Sequence, residues 1–164
     1  MKKDLKVAKF DADKVLKQFA VLEKAVIDAC SMIYLHKIGL LEKLAQEIEL
    51  FVPQVIFEET GFDNHFRLKI QRNAEKFPPD EQLIHLAGQL KCPVISDDGK
   101  VLKTADNRGL EYFNSLIMLF FLYFKRKITK RALLAKKSEL LEFAYYAPWI
   151  ENAGDRLLAA LNAK

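Results

Sequence analysis

Two short apolar runs that each close on aspartate constrain this chain most. Ala25-Val26-Ile27 runs into Asp28, and Pro93-Val94-Ile95-Ser96 runs into Asp97-Asp98-Gly99. Apolar runs this brief, bounded by polar residues, read as strands buried on both faces of a parallel sheet. Helical stretches separate them, and a strand–helix alternation requires crossover connections. Right-handed crossovers place helices on both faces of the sheet. In such folds functional groups gather beyond the carboxyl ends of the strands. Both of the clearest strands end in an acid there.

The rest of the chain fits this frame. Residues 1–24 read as an N-terminal helical extension, with Asp11 or Asp13 as its N-cap. Residues 25–164 read as the main domain with C-terminal helices. Residues 31–49 carry apolar positions at helical spacing, with Gly39 interrupting, as one helix or two. Residues 49–52 form a brief strand stopped by Pro53, and 54–60 restart as a helix. Residues 61–77 are polar and mixed, with no assignable element, and Pro78-Pro79 punctuates them. Asp80 stands as an N-cap before the helix EQLIHLAGQL. Residues 100–107 are helical, 110–113 form another strand, and 115–125 form a buried helix.

Of the 164 residues, 51% are apolar, enough for one core, and the net charge is +4. A modest basic excess permits nucleic-acid binding without indicating it. The most apolar run, SLIMLFFLYF, is far shorter than the roughly 20 residues a bilayer span needs. No secretory signal is visible. The expectation is a cytoplasmic protein without a membrane partner. Cys30 and Cys92 form no zinc-like cluster and read as buried thiols.

The acids suggest a chemistry. Carboxylate oxygens suit hard cations such as Mg2+ and Mn2+. An acidic pocket repels a phosphodiester unless metal intervenes; with metal bound, it can orient and acidify a water. Taken singly, each acid has a plainer reading: Asp97-Asp98-Gly99 as a turn, Glu58-Glu59 as a solvated helix face, Asp80 as a cap. An unrelated α/β protein with such caps and turns would scatter these acids.

Their order and context resemble the PIN-domain nuclease family, in its bacterial, archaeal and toxin-like branches. The resemblance rests on VIDACSMIYL, VPQVIFEET, PDEQLIHLAGQL and PVISDDGKVLKTADNRGL, with NSLIMLFFLYFKRKIT after them. Together they cover most of residues 25–145. The resemblance implies an α/β fold: a PIN-like three-layer α/β/α arrangement around a central, mostly parallel sheet. It implies catalytic, metal-holding acids at Asp28, Glu59, Asp80 and Asp97, with Asp98 sharing the metal. Ser31 and Ser115 would support them. Cys30 stands where the family often has Ser, Thr or Asn. The implied activity is a Mg2+- or Mn2+-dependent endoribonuclease leaving a 5′-phosphate and a 3′-hydroxyl. Many members are toxins of toxin–antitoxin pairs and many form homodimers, so an antitoxin and a second copy are the implied protein partners.

Lys125, Arg126, Lys127, Lys130 and Arg131 open a basic stretch without acids. It can neutralise an RNA backbone, or be a solvated helical face. Arg67, Lys69 and Arg72 form a weaker cluster. Tyr145, Tyr146 and Trp149 can stack bases, although near a C-terminus such rings more often pin a last helix. The alternative function is a non-catalytic RNA-binding or assembly module on the same fold.

Overall fold

The computed structural model describes residues 10–63, 67–72 and 77–163. They form two compact units: one runs from Glu23 to Met118, the other joins the chain up to Leu22 with the chain from Leu119 on. The strands are β1 (Lys24–Ile27), β2 (Glu49–Pro53), β3 (Lys69–Gln71), β4 (Val94–Ile95) and β5 (Tyr112–Phe113). The helices are α1 (Ala12–Val21), α2 (Ala29–Lys37), α3 (Leu41–Glu47), α4 (Gln54–Thr60), α5 (Pro79–Leu90), α6 (Gly99–Asn107), α7 (Ser115–Phe124), α8 (Lys130–Leu141) and α9 (Pro148–Asn162).

The five strands form one sheet in the order β3-β2-β1-β4-β5, and every pairing is parallel. The chain steps outward through β1, β2 and β3, then returns past β1 to β4 and β5. With right-handed crossovers, that reversal puts α2, α3 and α4 on one face and α5 and α6 on the other. Packing agrees. Val26 and Val94 project from the sheet into a cluster with Leu83, Ile84 and Ala87 of α5 and Val101 and Ala105 of α6. Side chains alternate along a strand, so Ala25 and Ile27 serve the opposite layer, and both are fully buried. This is the three-layer α/β/α arrangement expected from the sequence, with β1 at its centre.

One open reading is settled and two local expectations change. The interrupted stretch 31–49 is two helices, and Gly39 between them takes a left-handed φ of 74°. A third strand, β3, lies within the polar stretch 61–77, whose pattern announces no element. Asp80 is not an N-cap. Pro78 holds that position with no side-chain cap bond, and Asp80 lies in the first turn of α5. Pro79 lacks an N–H and suits the first helical position, which moves the helix start ahead of Asp80.

In the other unit, Asp11 caps α1 by accepting from the Asp13 and Lys14 N–H groups. The fully buried Phe19 ring meets Phe121 at 5.3 Å and Phe124 at 5.6 Å between centroids. Lys137 of α8 pairs with Asp155 of α9 at 3.3 Å. Among the described residues no helix is long and apolar enough to cross a membrane.

Candidate active site

Asp28 is the residue after β1 and the N-cap of α2. Its Oδ1 accepts from the Ala29 N–H at 2.8 Å, and its Oδ2 accepts from Ser96 Oγ at 2.8 Å. The register explains the second bond. Ile27 pairs with Ile95, so the next residues, Asp28 and Ser96, emerge side by side at the carboxyl ends of adjacent strands. Ser96 is fully buried, and its Oγ also accepts from the Asp98 N–H at 3.0 Å.

Asp28 is only 6% exposed. Burial pushes its carboxyl above the usual range; the bonds from Ser96 and Ala29 oppose this, and the charges of Asp80 and Asp98 add to it. Glu59, on the last turn of α4, is raised as well, first by desolvation and then by the charges of Asp28 and Asp80. Asp28, Glu59 and Asp80 therefore lie within one another's electric field. Among the described residues no lysine, arginine or histidine makes an ion pair with any of the three. Neighbouring Glu58 instead accepts from Gln54 Nε2 at 3.3 Å.

Asp97 is engaged differently. Ser31 Oγ donates to its Oδ2 at 2.7 Å, and Ser115 Oγ donates to the same atom. The Ser115 N–H donates to both carboxylate oxygens, at 3.2 and 3.3 Å. Ser31 and Ser115 are both fully buried. Asp97 thus ties the end of β4 to the starts of α2 and α7. Asp98 caps α6, accepting from the Lys100 N–H at 2.8 Å. Of this acidic pair, it is Asp98 whose charge raises Asp28.

Of the two cysteines expected to be buried, Cys92 is, whereas Cys30 is only half-buried on the first turn of α2, with Sγ 3.9 Å from Asp28 Oδ2. Burial, followed by the Asp28 charge, pushes the thiol up to about 11, so it stays neutral near pH 7. The acid-lined region therefore offers hard oxygen donors and no thiolate, a set suited to Mg2+ or Mn2+. As positioned, no three Asp, Glu, His or Cys side chains among the described residues close around one ion. Asp28, Asp97 and Asp98 already accept local hydrogen bonds, although each carboxylate keeps further lone pairs.

Two residues of this region carry no signal in the sequence. Ser96 orients Asp28, which only the strand register reveals. Lys100 lines a shallow cleft with Asp80, Glu81, Ile84, Val101 and Thr104, placing a cation beside the acids. Replacing Ser96 by alanine removes a donor to a buried carboxylate and the acceptor of the Asp98 N–H. The expected loss is about 1–2 kcal/mol. It should appear as a lower urea midpoint at unchanged slope; an unchanged midpoint would show that the bond contributes nothing.

The basic residues belong to the other unit. Arg126 and Lys127 are exposed in the turn after α7, with Arg126 at φ 60°; Lys125 is half-buried. Lys130 and Arg131 are exposed on the first turn of α8. In the weaker cluster, Lys69 pairs with Glu49 at 3.5 Å. Tyr146 is buried, as a pinning ring would be, whereas Tyr145 is 89% exposed.

No family model matches this chain, and no curated protein matches it in sequence. Among solved structures, it is similar to a PilT N-terminus domain protein from the hyperthermophilic archaeon Sulfolobus solfataricus P2. The likeness covers 76% of this chain and 98% of that one, at 16% identity and a TM-score of 0.42.

Proposed function

We propose that the protein is a metal-dependent ribonuclease whose site lies at the carboxyl end of the parallel sheet. One observation carries this reading: Asp28, buried just beyond the end of the central strand, shares its field with Glu59 and Asp80, and none has an ion-pair partner among the described residues. Asp28, Glu59, Asp80 and Asp98 would hold Mg2+ or Mn2+. Bound there, the cation would offset the charge of a phosphodiester and lower the pKa of a water. Ser96 keeps the Asp28 carboxylate in one orientation. Asp97 braces the strand end against α2 and α7. Lys100 offers a positive charge to a phosphate entering beside Asp80.

The expected result is scission of single-stranded or structured RNA in Mg2+ or Mn2+, stopped by EDTA and restored by excess metal. Labelled substrates resolved on a denaturing gel read this out. No scission of any substrate with either metal would overturn the reading. A second reading has its own support, because the acids as positioned do not close around one ion. A non-catalytic RNA-binding or assembly module predicts RNA binding that EDTA leaves unchanged, with every strand intact.

A further inference from the structure

The unit carrying the basic residues has a surface that the acid site does not explain. Residues 125–138 contain no acid. Arg126 is exposed in the turn that precedes α8, and Lys130 and Arg131 are exposed on its first turn. Lys136 and Lys137 pair with Glu139 and Asp155, whereas Arg126, Lys130 and Arg131 make no ion pair among the described residues. From Arg131, positions Leu134, Ala135 and Ser138 follow at helical spacing, and all are exposed. Leu133 and Leu140 face inward, fully buried. Three residues beyond the C-cap Glu142 stands Tyr145, 89% exposed. A tyrosine ring so open contributes little to packing.

We propose that the outer face of α8 binds a single-stranded polynucleotide, with Arg126, Lys130 and Arg131 on its phosphates and Tyr145 stacking an unpaired base. The 12 residues of α8 rise about 18 Å. A strand following the helix would meet cations at one end and an aromatic platform at the other, the pairing of features that single-strand binders use. Charge favours a polyanion over a protein here. A protein-docking helix face would be continuously apolar, and this one exposes a single large aliphatic, Leu134. The proposal shares with the ribonuclease reading only the class of ligand, a single-stranded polynucleotide.

The test is fluorescence anisotropy in EDTA, with the full chain and an unpaired RNA of about ten nucleotides. DNA of the same sequence runs beside it, and whichever strand shows the Tyr145 dependence is the ligand. Tyr145→Ala should weaken binding about tenfold, while Tyr145→Phe, which keeps the ring, should bind as the parent does. Lys130→Ala with Arg131→Ala should reduce the salt slope by about 1.4, about 0.7 for each charge removed. Equal binding by Tyr145→Ala, or an unmoved salt slope, overturns the proposal. So does a change in sedimentation mass on Tyr145→Ala without any change in binding, which would mark a protein contact instead. Scission plays no part in this readout, so an inactive acid site leaves the proposal standing. Failure of binding at α8 likewise leaves the acid site to be judged on its own.

Discussion

Asp28→Asn should reduce metal-dependent RNA scission by at least about a hundredfold while leaving the fold intact. The substitution keeps the shape of the side chain and removes its charge. An asparagine oxygen can still accept from the Ala29 N–H, and the amide can donate to Ser96 Oγ, so the local bonds survive in altered form. What disappears is a buried negative charge beside Asp80 and Asp98. Several kcal/mol of transition-state charge stabilisation depends on a cation held by such acids, and each 1.36 kcal/mol is a factor of about ten in rate.

Stability should move the other way. The folded carboxyl titrates above its unfolded value of 3.8, so the native state binds that proton more tightly than the unfolded chain does. Asp28 therefore favours the fold at low pH. That contribution falls as the pH climbs from the unfolded pKa through the folded one. In EDTA at neutral pH, Asp28→Asn should unfold at the same urea concentration as the parent or a higher one, with a flatter dependence on pH. Added Mn2+ should raise the melting temperature of the parent and not of the variant, because only a bound ligand shifts that equilibrium. A variant that cuts RNA at the parental rate, or gains equally from Mn2+, would remove Asp28 from the site.

How much of the fold and the site is legible in the sequence follows from burial. β1 and β4 are covered on both faces, so their apolar runs announce them, and the residue order alone places the acids that end them. β3 is not legible in this way. It is an edge strand of three residues, Lys-Ile-Gln, with one exposed and two half-buried positions, and nothing in that pattern separates it from a loop. Asp80 is legible as an acid at a helix start but not in its role. A cap would account for it without any metal; Pro78 at the cap leaves its carboxylate in the field of Asp28 and Glu59 instead. The adjacent pair Asp97 and Asp98 is the least legible. Which of the two is held by buried hydroxyls and which caps α6 depends on Ser31 and Ser115, which are distant in sequence and join Asp97 only after the sheet has formed. Tyr145 and Tyr146 pose the same difficulty, since a single step along the chain separates a buried ring from an open one.

The same division predicts that Asp97→Ala acts mainly on folding. It deprives two fully buried hydroxyls and the Ser115 N–H of a charged acceptor. Hydrogen bonds to ionised groups are the stronger class, and buried donors left without acceptors carry their full desolvation cost. The expected loss is roughly 2–4 kcal/mol, read as a lower urea midpoint at unchanged slope. Asp97→Asn, which retains one acceptor oxygen, should lose distinctly less. If the proposed ligands Asp28, Glu59, Asp80 and Asp98 hold the metal without Asp97, the surviving folded fraction of Asp97→Ala should still gain melting temperature from Mn2+. Asp28→Asn should show the reverse pattern, a stable fold that Mn2+ does not shift. If Asp97→Ala kept its stability but lost the response to Mn2+, Asp97 would be a ligand, and its bonds to Ser31 and Ser115 would serve to aim it at the metal.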